Sequence, residues 1–244
     1  SRWNSALELL RGAAASRSEP GVMARNAGIS AIHRGEQWAK ALELAKEMPW
    51  QGLEPSLVTR NAVLGALEAA HMWEGVIESL AEMCGRSTGP NAISFSTSIS
   101  TCGKGQHWEN AFKFLRDMGA RGAAPNVIAH NALISACEKG RRWQCALGLL
   151  GSMRRRLLPP SSTTCNAALS ACEKAKQWEL AFALLDEMLA LRLQPETITY
   201  NVVISACGSS QQWELALEQL GEMHRVRLDP DVVTYTAALG ACEK

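Results

Sequence analysis

From Val127 to Lys139 the apolar residues Ile128, Leu133, Ile134, Ala136 and Cys137 fall at helical rather than alternating spacing. Gly140 follows as a helix stop. A second stretch carries Trp143, Ala146, Leu147, Leu150 and Met153, at offsets of 0, 3, 4, 7 and 10. That is one apolar stripe on a second helix. Arg154, Arg155 and Arg156 stand at its C-terminal end, where cations suit the helix dipole, and Pro159 and Pro160 close the pair. Helices of about 12–14 residues are marginal alone in water, so the pair predicts stacking against like neighbours.

Those neighbours are written along the whole chain. Trp3, Trp38, Trp73, Trp108, Trp143, Trp178 and Trp213 are each 35 residues apart. Pro20, Pro55, Pro90, Pro125, Pro160, Pro195 and Pro230 keep the same interval, as do Met48 to Met223 and Cys102 to Cys242. A fixed period of this size is the signature of a solenoid. With each unit starting two residues after its proline, the repeats are 22–56, 57–91, 92–126, 127–161, 162–196 and 197–231. Residues 1–21 read as the second helix of an earlier unit and 232–244 as the first helix of a later one, in one continuous array over 1–244. The chain thus reads as a piece of a longer protein with apolar faces uncapped at both ends, an invitation to homo-association. The Trp, Met and Cys ladders are expected to pack the interior, a tryptophan burying about 150–250 Å².

Composition narrows the function. A net charge of +1 excludes a large basic field. No apolar run is long enough to cross a membrane, and the chain carries no targeting segment at its start, so any address signal is expected outside it. The eight cysteines include no C-x-x-C pair, which argues against a zinc ribbon or dithiol site and for buried thiols in a reducing compartment. There is no H-E-x-x-H and no H-x-E followed by C-x-x-C. Gly103-Lys104-Gly105 is too short for a phosphate loop. The chain is therefore not expected to be an enzyme or to take a cofactor, metal or small-molecule substrate.

The segments Asp231-Val232-Val233-Thr234-Tyr235 and Glu196-Thr197-Ile198-Thr199-Tyr200-Asn201-Val202-Val203-Ile204-Ser205-Ala206, with Trp178-Glu179-Leu180-Ala181 leading to Leu185-Asp186-Glu187-Met188, resemble the pentatricopeptide repeat. The resemblance covers the whole chain. The tetratricopeptide repeat is a poorer fit, with a shorter period of about 34 residues and its tryptophan in the first helix. Departures are local. Arg25, Arg60, His130 and Cys165 replace the aromatic residue usual at the fourth position, and Thr163 replaces an aliphatic at the second. Repeats of one length resemble the uniform class of the family.

The resemblance implies an all-α, right-handed α-solenoid (a superhelix of helix-turn-helix repeats) that binds single-stranded RNA at about one base per repeat. It places the base-reading side chains at the fifth position, here Asn26, Asn61, Ser96, Asn131, Asn166, Asn201 and Thr236, and at the last, here Ser56, Asn91, Asn126, Ser161, Glu196 and Asp231. All but Glu196 are short hydrogen-bonding groups. The second residues, Met23, Val58, Ile93, Ile128, Thr163, Ile198 and Val233, would wedge between bases or, on the plainer reading, pack in the core. At the thirteenth position Arg34, Lys104, Lys139, Lys174 and Lys244 would meet phosphates or simply offset the helix dipole. Pairing rules of the family translate the six reader pairs into 5′-C-Y-A-C-Y-U-3′, and the family points to RNA processing, stability or translation in a mitochondrion or chloroplast. A protein-binding helical scaffold is the rival reading, separable by its weaker dependence on salt.

Overall fold

A computed structural model of the chain describes residues 21–34, 37–50, 52–85 and 89–243, together with Ser5 and Glu8. Among the described residues there are thirteen α-helices and no strand. The second helix expected in residues 1–21 lies outside them, Ser5 and Glu8 apart. The chain divides into two compact units, residues 1–125 and 126–244.

The first unit holds α1 (Val22–Arg34), α2 (Trp38–Trp50), α3 (Leu57–Ala69), α4 (Trp73–Cys84), α5 (Ala92–Lys104) and α6 (Trp108–Ala120). The odd-numbered helices lie side by side, α1 against α3 and α3 against α5. Each even-numbered helix packs on its own hairpin partner, and α2 and α4 pack also on the next odd helix. The second unit repeats the scheme with α7 (Val127–Lys139), α8 (Trp143–Arg155), α9 (Ser162–Lys174), α10 (Trp178–Ala190), α11 (Thr197–Ser209), α12 (Trp213–Arg225) and α13 (Val232–Cys242). There α7, α9, α11 and α13 stack in order, while α8 and α10 meet through the ion pair of Arg154 with Glu187. Each unit is therefore two layers of helices, with the odd helices forming a continuous row. Gly208 lets α11 and α13 approach closely: a β-carbon there would stand 3.2 Å from the Ala241 Cα.

The core lies between the layers. Met48, Met83, Met118, Met153, Met188 and Met223 are buried, as are Cys102, Cys137, Cys172 and Cys207. Burial pushes the Cys102, Cys172 and Cys207 thiols up to about 11 and that of Cys137 to about 12. The tryptophans depart from expectation. Each of Trp38, Trp73, Trp108, Trp143, Trp178 and Trp213 opens its helix, but none is buried; Trp38 and Trp213 are exposed and the rest half-buried. Each stands at the first position of its helix, next to the hairpin turn. Trp73 there lies against His107, ring centroids 3.8 Å apart, while Trp108 and Trp178 meet Phe112 and Phe182 edge-on at 6.2 Å.

The turns carry strain that the sequence does not advertise. His71, Gln106, Arg141, Lys176 and Gln211, before the even helices, and Leu157, Arg192 and Arg227, after them, all have positive φ. Gly52 and Gly122 fill the place equivalent to Leu157 in the first unit.

Candidate functional site

The last residue of each repeat sits immediately before an odd helix and caps it. Ser56 accepts the Thr59 backbone N–H at 3.3 Å, Asn91 that of Ser94 at 3.0 Å, and Asn126 that of Ala129 at 2.8 Å. Ser161 accepts from Thr164 at 3.2 Å and Asp231 from Thr234 at 2.8 Å. Capping alone explains why this row is Ser, Asn and Asp. It leaves the choice among those three open at each repeat. The Thr234 backbone N–H holds the Asp231 carboxyl below its ordinary range, so it is an anion at neutral pH.

The fifth residues come next to these caps. Asn26 Nδ2 donates to Ser56 Oγ at 3.0 Å, Asn61 Nδ2 to Asn91 Oδ1 at 3.5 Å, and Asn201 Nδ2 to Asp231 Oδ1 at 3.1 Å. The fifth residue of one repeat and its last residue, 30 positions later, thus form a hydrogen-bonded pair. Asn131 and Asn166 are half-buried like the other asparagines, and each accepts a hydroxyl from the following helix, from Thr164 and Thr199 respectively. Glu196 is exposed and its backbone N–H donates to Thr199 Oγ1 at 3.1 Å. Ser96 is buried and gives its hydroxyl hydrogen to Ala92 O at 2.8 Å, while the exposed Thr236 gives its own to Val232 O at 2.6 Å.

The second residues answer the alternative left open by the sequence. Met23, Val58, Ile93, Ile128, Ile198 and Val233 are exposed, from 56% for Ile198 to 87% for Met23, and Thr163 is exposed with them. None packs in the core. One odd-helix face in each unit therefore presents an apolar side chain beside a polar pair, repeat after repeat.

The thirteenth position is divided. Lys104 Nζ lies 2.9 Å from Glu68 Oε1, and Lys174 Nζ 2.9 Å from Glu138 Oε1. Those carboxylates also accept from Ser100 at 2.8 Å and Ser170 at 3.0 Å, and Glu173 accepts from Ser205 at 2.9 Å. The charges of Lys104 and Lys174 are therefore offset locally. Lys139 is exposed, and no ion pair to it is found among the described residues. The Arg34 side chain and Lys244 lie outside the described residues.

Three of the residues that replace the fourth-position aromatic, Arg25, Arg60 and His130, are buried polar groups. Arg60 Nε donates to Pro55 O at 3.2 Å and its Nη1 reaches Glu82 Oε1 at 3.4 Å. His130 lies 3.0 Å from Asn126 O through Nδ1 and 3.1 Å from Ser152 Oγ through Nε2. Burial lowers its pKa below the usual 6.5 and keeps it neutral at physiological pH. Among the described residues no group of three or more His, Cys, Asp or Glu side chains could hold a metal ion, and no helix is long and apolar enough to cross a membrane.

A model described as the PPR repeat family matches residues 90–139, 160–209 and 195–244, and a second, the PPR repeat, matches 128–156. No curated protein matches the chain. A crystal structure of the pentatricopeptide repeat protein PPR10 from maize aligns with a TM-score of 0.71 and 32% identity, over 92% of this chain and 32% of that one. PPR10 in complex with an 18-nt psaJ RNA element aligns at 0.55 and 29% identity, over 90% and 36%. This chain thus spans about a third of the length of those proteins. The PPR domain of Arabidopsis thaliana protein-only RNase P 1 in complex with tRNA shares the fold at 0.65 with 10% identity, over 74% and 95%.

Proposed function

The chain belongs to the pentatricopeptide repeat family, and from that premise we propose that it binds single-stranded RNA base by base. The observation that carries the proposal is the recurring triplet on the odd helices. An exposed aliphatic at the second position stands beside a fifth-position amide that, in three repeats, is hydrogen-bonded to the cap. An unpaired base can lay its face on the first and turn its Watson–Crick edge to the other two. The choice of Ser, Asn, Asp or Glu at the cap varies the donors and acceptors offered from one repeat to the next.

On this reading the units 22–56 to 197–231 read 5′-C-Y-A-C-Y-U-3′, with Ser96 and Asn126 selecting the adenine. Lys139, exposed and without an ion pair among the described residues, is the thirteenth-position cation best disposed toward a phosphate; Lys104 and Lys174 would first have to leave their carboxylates. The consequence of binding is processing, stabilisation or translation of an organellar transcript, with no chemistry assigned to these residues. A gel shift checks the core of the proposal: the chain should retard an RNA carrying CCACUU and not poly-A of equal length. Equal affinity for the two removes the base assignment. Ser96→Asn should move the preference at the third base from adenine to a pyrimidine and leave the other bases alone.

A further inference from the structure

The third residue of each repeat is not one that the sequence singled out. Thr59, Ser94, Thr164, Thr199 and Thr234 are all buried. In each case the hydroxyl reaches back 33 residues to the fifth-position asparagine of the preceding repeat. Ser94 Oγ donates to Asn61 Oδ1 at 2.5 Å, and Thr164 Oγ1 to Asn131 Oδ1 at 2.7 Å. Thr199 donates to Asn166 at 2.9 Å, Thr234 to Asn201 at 2.5 Å, and Thr59 to Asn26.

The direction of these bonds follows from proton counting. Each hydroxyl oxygen already accepts a backbone N–H from the capping residue, for example Ser161 N to Thr164 Oγ1 at 3.1 Å and Asp231 N to Thr234 Oγ1 at 3.0 Å. A backbone N–H can only donate, so the single hydroxyl hydrogen is free to go elsewhere. Thr59, Ser94, Thr164 and Thr234 also lie near the cap oxygens of Ser56, Asn91, Ser161 and Asp231, at 3.0, 3.0, 2.8 and 2.9 Å, but in each the shorter arm goes to the fifth-position asparagine. The chain of donors thus runs from backbone to hydroxyl to Oδ1. It fixes which end of the amide is which, a choice otherwise free by a half-turn about the terminal torsion.

We propose that the third-position hydroxyls are positioning residues that turn the reading asparagines into obligate donors, and so make their repeats select pyrimidines. With Oδ1 engaged, only the Nδ2 hydrogens face outward; one serves the cap in three repeats, and the second is left for a base. Both pyrimidines offer an acceptor O2, where adenine has a C–H and guanine an amino donor. The sequence contains its own contrast. Among the repeats preceded by a full repeat, one lacks a hydroxyl at the third position, at Ala129, and it follows the one full repeat whose fifth residue is not asparagine, at Ser96; Ala24, in the first full repeat, has no fifth-position reader before it in this sequence. This inference rests on the RNA reading above.

The test is fluorescence anisotropy with labelled CCACUU flanked by abasic spacers, and with the same RNA carrying adenine at the fourth or the sixth base. The variants are Thr164→Val, which keeps the shape and loses the hydroxyl, and Thr164→Ser, which keeps the hydroxyl. The wild-type chain should prefer the parent at both bases. Thr164→Val should lower the preference at the fourth base about fivefold, the worth of one hydrogen bond, and leave the sixth unchanged; Thr164→Ser should restore it. Undiminished preference in Thr164→Val overturns the orienting role and leaves RNA reading intact. Equal losses at both bases overturn it too, because a mere loss of helix capping weakens all bases alike. A wild-type chain indifferent to every base overturns both. Side-chain amide NMR of the RNA-free chain gives an independent readout: the Asn131 amide should lose order in Thr164→Val, and unchanged order refutes the proposal.

Discussion

Replacing Ile128, Ile198 and Val233 together by alanine separates the contact surface of the second unit from its core. These side chains are 65%, 56% and 61% exposed. Isoleucine to alanine removes three carbons and valine to alanine two, each worth about 0.8 kcal/mol when moved fully out of water. A base laid on one face covers roughly half of the exposed part, so the three truncations together forfeit about 2 kcal/mol of binding, or ~30-fold in Kd. Folding should respond in the opposite sense. No buried contact is lost, and alanine is the better helix former by up to about 0.5 kcal/mol at each site. The assay is anisotropy with CCACUU RNA beside a urea titration followed by circular dichroism. The expected result is a ~30-fold weaker complex with an unfolding midpoint that is level or slightly raised. A lowered midpoint would mean that these residues support the fold, and a Kd within about twofold of the parent would mean that bases do not rest on them.

Three further outcomes follow from the geometry. Leu157, at φ 55° and 91% exposed, stands where Gly52 and Gly122 stand in other repeats; Leu157→Gly should stabilise the chain by about 0.5–1 kcal/mol in chemical denaturation without altering RNA affinity. His130 is neutral in the fold because burial lowers its pKa below 6.5. The unfolded chain takes up a proton there below about 6.5, so the contribution is complete above that pH and lost as pH falls through the lowered folded value. The drop in stability between pH 7.5 and pH 5.5 should be smaller in His130→Phe than in the parent, about these reference points. Cys102, Cys137, Cys165, Cys172 and Cys207, with thiols pushed to about 11 or 12, should resist a disulfide reagent at mildly alkaline pH until urea is added, whereas the exposed Cys242 reacts at once. Early labelling of the five in the folded chain would contradict their burial.

The helices were legible because apolar spacing is a local property. Methionine and cysteine at fixed offsets can meet only if both segments are helical, and the six buried methionines of α2, α4, α6, α8, α10 and α12 follow. The tryptophans were misread for a related reason. Apolar character gives a stripe but not its depth, and these rings, at the first position of each even helix, stay half-buried or exposed. At the thirteenth position a cation was visible in the sequence. Its partner was not, although the glutamates stood at a constant offset: Glu68 and Glu138 lie 36 residues before Lys104 and Lys174.

What the sequence by itself determined was the repeat, the helical hairpin, and the row of short polar residues at the fifth and last positions, since each depends on neighbours within one unit. Only the tertiary structure decided what those positions do. The same spacing that buries Leu133 and Ile134 leaves Ile128 in solvent, because the partner helix covers one face of α7 and not the other. The bond from Thr164 to Asn131 exists only once α9 has docked beside α7. A side chain's periodicity is set by the backbone it grows from, whereas its exposure and the direction of its hydrogen bonds are set by the helix that arrives next to it.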